Sequence, residues 1–301
     1  KILSLRTLFL VDMDTELLKT FMEVSRTRHF GRAAENLYLT QSAVSFRVRQ
    51  LEGLLGVELF SRQRNNIRLT PAGEKLLPLA ESSVMLEQRI RQEVATAEGM
   101  SEQISLGATP NLWDAFLQDQ LTVMMNTLNG VALNALAHSS GNLVRQIAER
   151  TLDLAFVFDA PKAEELTTVA VLDIPLYLVS SQPQEDWQSA LESNYVLVDW
   201  GTSFRIQHAQ EFKGANPPML QTNTGRIALD CLLSVSGGGA AYLPVSLIRQ
   251  YVDEKRLFIV PDAPVVNRTV YASFQADSSR KELISDIIGL IRDQLSQTEL
   301  L

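Results

Sequence analysis

The chain has 301 residues, 46% of them apolar and 21% charged, with a formal net charge of −8. That length and balance give room for two or three domains with real cores and argue against disorder. The single Cys231 excludes an internal disulfide framework and fits a reducing, cytoplasmic setting, while three scattered histidines (29, 138 and 208) offer no ligand cluster, so no metal is expected. No apolar run approaches the roughly 20 residues of a membrane helix, and no membrane partner is expected.

Lys1 to Asp12 is apolar but holds too short a core for a signal peptide, with no small-residue cleavage site after it; it reads as an extension ahead of Met13. Leu17 to Arg26 bunches Leu17, Leu18, Phe21, Met22 and Val24 toward one face, predicting a supporting helix. His29 reads as a helix-end contact, since neither a carboxylate nor a nucleophile is placed beside it in sequence. Phe30 to Leu37 is a short helix whose Ala33 and Ala34 let a neighbour cross closely, and Tyr38-Leu39 is the turn.

Thr40 suits a helix cap, and Val44, Val48, Leu51 and Leu55 follow at helical spacing, which requires one buried face over residues 40–55. The opposite face carries Gln41, Ser42, Ser45, Phe46, Arg49 and Gln50. Gln and Arg make paired bonds to base edges, Ser reaches bases or phosphates, and an aromatic ring packs on a thymine methyl. Leu59 to Arg62 and Ile67 to Leu69 read as two short strands around the polar turn Gln63 to Asn66, a wing with basic flanks. From Arg26 to Thr70 eight arginines face Glu35, Glu52 and Glu58, a balance of +5, so residues 71–301 carry about −12. A basic patch on an acidic chain is the footprint of a DNA surface. The DNA-binding candidates are Arg32, Thr40, Gln41, Ser42, Ser45, Phe46, Arg49, Arg62, Arg64 and Arg68.

Thr70-Pro71 starts a long helix, with Thr as cap and Pro at the first position. Leu76, Ala80, Val84, Leu86, Ile90, Val94 and Ala97 keep a mostly three-and-four spacing to Gly99, as in a helix that packs on a partner helix, and Pro78 should kink it near its start. Gly99 to Glu102 reads as the hinge.

From Gln103 short strands and helices alternate. Ile104–Ala108, Val131–Ala137 and Leu152–Phe158 as strands, with helices over 112–128 and 141–151, predict a mainly parallel sheet covered on both faces, with Leu176–Ser180 leading out. A second lobe repeats the pattern: strands at 195–199, 219–222, 240–243 and 257–260, helices at 204–212 and 225–235. A strand at 270–275 and a helix at 281–295 return to the first lobe. Three helix N-termini follow strands, at Thr109-Pro110-Asn111-Leu112, at Gly201-Thr202-Ser203-Phe204 and at Thr222-Asn223-Thr224-Gly225. Such ends serve either as local caps or as anion sites. The candidate effector residues are Thr109, Asn111, Leu112, Phe158, Thr202, Ser203, Phe204, Asn223 and Thr224, with Phe158, Trp200 and Phe204 walling the space between lobes. The helix dipoles favour a small anion such as a carboxylate; Arg205 and Arg226 are the nearby cations.

The residues also carry a resemblance. Leu18-Lys19-Thr20-Phe21, His29 to Ala34, Thr40 to Ser45, Leu51-Glu52, Leu55-Gly56, Leu59 to Arg62 and Leu69-Thr70-Pro71-Ala72-Gly73 resemble the signature of LysR-type transcriptional regulators over Met13 to about Ala80. Phe46 stands where many members have arginine, so base preferences are not carried over. Beyond Ala80 the resemblance is one of architecture, to the periplasmic-binding-protein-like effector domain of that family.

The expected fold is α+β overall: a winged helix-turn-helix over 13–70, a linker and dimerisation helix over 71–99, and a C-terminal α/β two-lobe domain over 103–301. Lobe I takes about 103–178 and 266–301, lobe II about 179–265. The resemblance implies a homo-oligomer, dimer or tetramer, on pseudo-palindromic double-stranded promoter DNA, a small-molecule co-inducer and no other cofactor, with RNA polymerase as a further partner. Two other readings compete with it. An enzyme is disfavoured because no Gly-x-Ser-x-Gly, Gly-x-Gly-x-x-Gly, phosphate loop or His-Glu-x-x-His occurs; Gly237-Gly238-Gly239 follows a helix and reads as its ending turn, and Cys231 as a packed residue. A solute-binding protein proper would bring an export signal and no DNA affinity.

Overall fold

The computed structural model describes residues 13–63, 66–96, 102–192, 194–213 and 216–297, of which 62, 63, 66, 92–96 and 295–297 are described by backbone alone. The expectations for Lys1 to Asp12, for Arg64 and for the hinge at Gly99 to Ser101 lie outside these residues. The chain divides into two compact units, 1–98 and 99–301.

In the first unit, α1 (Thr15–Thr27) is capped by the Asp14 carboxylate, which accepts from the Glu16 N–H, and it buries Leu17, Leu18, Phe21 and Val24. The helix α2 (Phe30–Asn36) is capped by His29, whose Nδ1 accepts from the Gly31 and Arg32 N–H groups at 3.1 and 3.2 Å, the helix-end role expected of it. Ala33 and Ala34 are buried, and α2 lies against α3 (Gln41–Leu55). Thr40 caps α3 through the Ala43 N–H, and Gly56 ends it at φ 70°. Val44, Val48 and Leu51 are fully buried, but Leu55, expected beside them, is 39% exposed. It is the last helical residue, and the chain turns away there before the core reaches it.

The wing is β1 (Phe60–Gln63) antiparallel to β2 (Asn66–Leu69). It is tied to the recognition helix by Glu52, whose Oε1 accepts from the Leu59 N–H at 2.9 Å, and to the core by the Phe60 ring, 5.3 Å from that of Phe21. Next comes α4 (Pro71–Thr96), with the Thr70 hydroxyl accepting from the Gly73 N–H as a cap. The stripe assigned to a partner helix divides here. Ala80 and Val84 sink into the core beneath α1, so the first turns of α4 belong to the DNA-binding unit, whereas Leu86 and Ile90 stay exposed, as does Leu79 outside the stripe; Val94 is described by backbone alone and Ala97 lies outside the described residues.

The second unit runs β3 (Gln103–Ala108), α5 (Pro110–Leu112), a π-helical segment Trp113–Leu117, α6 (Gln118–Thr127), β4 (Ala132–Ala137), α7 (Ser140–Ala148), β5 (Leu154–Val157) and β6 (Leu166–Ser180). It continues with α8 (Trp187–Glu192), β7 (Val196–Val198), α9 (Thr202–Glu211), β8 (Leu220–Thr222), α10 (Gly225–Ser234), β9 (Ala240–Pro244), α11 (Val245–Asp253), β10 (Phe258–Ile259), β11 (Val266–Gln275) and α12 (Lys281–Gln297).

Only part of the sheet is parallel, which corrects the expectation. β4, β3 and β5 run parallel, but β11 is antiparallel to both β5 and β6, and β9 and β10 pair antiparallel with β6. β6 does not simply leave lobe I at Leu176. It is a 15-residue strand paired with β11 along ten positions, its first part separated from β5 by β11 and its second against β9 and β10, with a register shift between Val270 and Tyr271. A small parallel pair, β7 with β8, and the bridge Tyr195 to Ala240 complete the second lobe. One apolar core runs through both lobes. The glycine run behaves as a turn: α10 ends at Ser234, Gly237 and Gly238 have φ 89° and 79°, and β9 follows.

Candidate nucleic-acid interface and interlobe site

Burying Val44, Val48 and Leu51 leaves the opposite face of α3 free. Gln41, Ser42, Phe46 and Arg49 are exposed and Ser45 half-exposed, with Phe46 showing 62% of its surface, unusual for an aromatic ring. Arg32 and Arg68 are exposed as well; Arg62 lies in β1, and only its backbone is described. Thr40 is exposed but already committed, its hydroxyl capping α3 and lying 3.0 Å from that of Ser42. Arg49 folds back to donate to the Ser45 carbonyl at 3.2 Å, a bond it can exchange for a base or phosphate without leaving a buried group unpaired.

The eight arginines are not equivalent. Arg26 pairs with Glu23 at 2.6 Å, and Arg47, although on α3, turns inward to Glu16 and the Thr20 hydroxyl, each at 3.3 Å. Both are already paired with carboxylates of α1 and are removed from the DNA charge count. Arg28 joins instead: it takes a left-handed φ of 51° at the end of α1 and shares with Arg68 a cleft of about 340 Å³ beside the wing.

In the second unit the structure redistributes the predicted effector residues. Leu112, Phe158 and Phe204 are 0%, 4% and 1% exposed. They are core residues rather than walls of an open space, because Phe158 packs edge-on against Trp200 at 6.0 Å and Phe204 packs against Tyr242 at 5.8 Å. Asn111 is also buried; it accepts from the Thr109 hydroxyl and donates to the Asp199 carbonyl, joining the end of β3 to the end of β7. Thr224 caps α10 through the Ile227 N–H, and Asn223 is exposed beside it. Arg205 is not a free cation, since its Nε lies 3.7 Å from Asp199.

The N-terminus of α9, at Thr202 and Ser203, does hold an anion, and it is the protein's own. The Asp159 carboxylate accepts from the Thr202 N–H at 2.7 Å, the Ser203 hydroxyl at 3.3 Å and Arg268 Nη2 at 2.9 Å. Burial raises the carboxyl pKa, but these donors outweigh it and hold it below the ordinary value of 3.8. Arg268, only 6% exposed, also donates to the carbonyls of Trp200 and Phe158 and lies 5.4 Å from the Phe158 ring centre. Gly201 makes this approach possible: at φ 94°, a side chain there would be strained and would meet Arg268 Nη2 at 2.9 Å and Asp159 Oδ2 at 3.0 Å. At the start of α10, Asp114 Oδ2 accepts from the Arg226 N–H at 3.0 Å.

Sequence reasoning missed Asp114, Asp159 and Arg268. Two of them left a signal. Asp159 sits just past a fully apolar strand, at the carboxyl end where ligands gather, and Arg268 interrupts the buried face of β11 between Val266 and Val270.

Comparisons with known proteins cover both units. Residues 15–74 match the model of the bacterial regulatory helix-turn-helix protein, lysR family, and residues 97–296 that of the LysR substrate binding domain. The HTH-type transcriptional regulator HdfR of Yersinia enterocolitica serotype O:8 / biotype 1B is 40% identical over 295 residues, spanning 95% of this chain and 99% of the relative. The likeness therefore runs past Ala80, where recognisable motifs stop. Among solved structures, CbnR, a LysR family transcriptional regulator, aligns with a TM-score of 0.70 at 17% identity, covering 93% of this chain and 99% of that one. Full-length CbnR complexed with its target DNA aligns at 0.67 and 18% identity over the same shares.

Proposed function

This chain belongs to the LysR family of transcriptional regulators, and from that premise we propose how its parts divide the work. It is a DNA-binding regulator with a helix-turn-helix and an effector-binding domain. The observation that carries the residue-level reading is the free face of α3, where Gln41, Ser42, Ser45, Phe46 and Arg49 stand opposite a fully buried apolar stripe. In our reading these side chains enter the major groove, Phe46 supplying apolar contact where a thymine methyl is available. Arg32, Arg62, Arg64 and Arg68, joined by Arg28, hold the phosphates and wing-side backbone. Thr40 acts mainly as the cap that orients the helix.

The exposed Leu79, Leu86 and Ile90 on α4 support pairing with a second copy, which would set two recognition helices on two half-sites. The effector-binding domain has its lobes meeting on β6 and β11, and we place their boundary at the register shift near Val270 rather than at residues 178 and 265. We assign it no catalysis and a cytoplasmic setting; among the described residues no helix is long and apolar enough to cross a membrane.

The test is binding to a labelled fragment from upstream of the chain's own gene, titrated with salt and competed with random DNA. Arg49→Ala should weaken specific binding about 5- to 150-fold, the equivalent of roughly 1–3 kcal/mol for a lost arginine contact, and Arg26→Ala should not. Equal losses in both variants would refute the assignment of the α3 face.

A further inference from the structure

The effector reading places a small anion at helix N-termini between the lobes, yet both such positions in lobe II are filled by lobe I carboxylates. Asp159, beyond β5, occupies the start of the ten-residue α9, and Asp114, on the π-helical segment, occupies the start of the ten-residue α10. Two further bonds cross the same seam: Asn111 to the Asp199 carbonyl, and the Ser246 hydroxyl to the Ala115 carbonyl. Phe158 on Trp200 fills the space beneath them. Arg268 resembles the cation that would anchor a bound carboxylate, being buried, aimed at the seam and neutralised there by Asp159.

We propose that the lobes are latched shut by the chain's own carboxylates, Asp159 standing where the carboxylate of an effector would stand, so that the effector-binding domain closes with no anion added. The inference rests on the reading of this unit as effector-binding and goes beyond it in naming what occupies the site. It follows that the α9 site is a carboxylate site by construction, defined by the Thr202 N–H, the Ser203 hydroxyl and the Arg268 guanidinium, and that an outside carboxylate enters only by displacing Asp159. Asp114 acts in parallel at α10, where among the described residues no cation pairs with it, whereas Asp159 also pairs with Arg268, which makes Asp159 the stronger of the two.

The test is to vacate the site and refill it. In full-length Asp159→Gly, the missing carboxylate leaves an opening of about the size of acetate, so acetate should raise the melting temperature by about 3 °C at a concentration several-fold above its Kd, against chloride at equal ionic strength. The wild-type chain should not respond. Asp159→Asn, which fills the space with a neutral amide, should be destabilised and show no acetate response. If Asp159→Gly fails to fold alone, its refolding yield in acetate against chloride is the readout. A variant as stable as wild type, or one whose loss acetate does not repair, overturns the latch. Operator binding is measured separately on the same samples. Rescue of stability without any change in operator binding keeps the latch and removes its coupling to DNA. An operator response to small molecules with no acetate rescue removes the latch and leaves the effector reading standing.

Discussion

Replacing Gly73 by alanine sets two effects of opposite sign against each other, and the structure decides between them. In a helix interior alanine is favoured over glycine by about 1 kcal/mol, and in the first turn of α4 the gain is smaller. A Cβ at Gly73, however, would be driven into the Leu59 carbonyl oxygen, with Leu69 Cδ2 2.9 Å away. That carbonyl cannot swing aside freely, since it accepts the Thr70 N–H at 2.9 Å. Forced overpacking of this kind costs about 1–3 kcal/mol, so the net expectation is a loss of about 1–2 kcal/mol in the DNA-binding unit. Gly53 supplies the control. It lies within α3, and a Cβ there meets nothing within 4 Å, so Gly53→Ala should stabilise by about 0.5–1 kcal/mol. Hydrogen exchange resolved to the segment Val44–Leu51 reads the stability of this core in the full chain. Exchange should speed up about 5- to 30-fold in Gly73→Ala and slow about 2- to 5-fold in Gly53→Ala. Changes of the same sign in both variants would refute the argument that backbone proximity is what requires glycine at residue 73.

Arg268→Met should cost about 2–4 kcal/mol, because it strips two carbonyls and a partly buried carboxylate of their donor, while the 35% exposure of Asp159 lets water recover part of the loss. Calorimetry should record a melting temperature lower by roughly 5–15 °C, and a change under 2 °C would count against the role given to this ion pair. Leu86→Glu should shift the chain toward monomer in sedimentation velocity without altering the helical signal; an unchanged oligomer would place self-association elsewhere. Burial holds the His208 imidazole below its ordinary 6.5, and its Nε2 shares a hydrogen bond of 2.8 Å with the Tyr195 hydroxyl. The unfolded chain therefore takes up the proton first, so this contribution is present above pH 6.5 and is lost as pH falls through the lower folded value. All three tryptophans lie in the second unit, so denaturant unfolding followed by their fluorescence should show that slope below pH 6.5 in wild type and a smaller one in His208→Gln.

The DNA-binding unit was readable residue by residue because its signals are local. Thr40, Thr70 and His29 cap their own helices, and Val44, Val48 and Leu51 mark a buried face by spacing alone. Leu55 failed because spacing says nothing about where the core ends. Arg47 entered the basic charge balance because composition cannot see its pairing with Glu16, 31 residues earlier in the chain. In the second unit each strand was found where its apolar run is unbroken, as at Leu154–Val157. The first half of β6 was missed because Thr167, Thr168 and Asp173 break the run, and β11 was begun late, at Val270, because Arg268 sits on its buried face. Both omissions concern the strands that join the lobes. The residues that close the seam are polar and far apart in sequence, Asp159 and Arg268 by 109 positions, so pairing them requires the fold.

If the latch is as described, its chemistry restricts what can open it. Acid does not do so under ordinary conditions: the Asp159 pKa is lowered from 3.8, so its contribution is complete above that value and is lost only as pH falls through a folded value lower still. The charged groups facing it are Arg268 on β11 and the more distant Asp199 and Arg205 around α9. Opening therefore demands displacement, and a displacing carboxylate competes with a tethered one already in place. Each 1.4 kcal/mol by which the latch favours the closed form raises the apparent Kd of the competitor tenfold. A simple monocarboxylate offers the site nothing that Asp159 does not already offer. An effective ligand must gain elsewhere, by engaging α10 in place of Asp114 as well as α9, or by contacts made only in an open form, since a ligand shifts the equilibrium no further than its preference for one state over the other. Two anionic groups set to span the starts of α9 and α10 meet that requirement, and a single carboxylate with no further contacts does not.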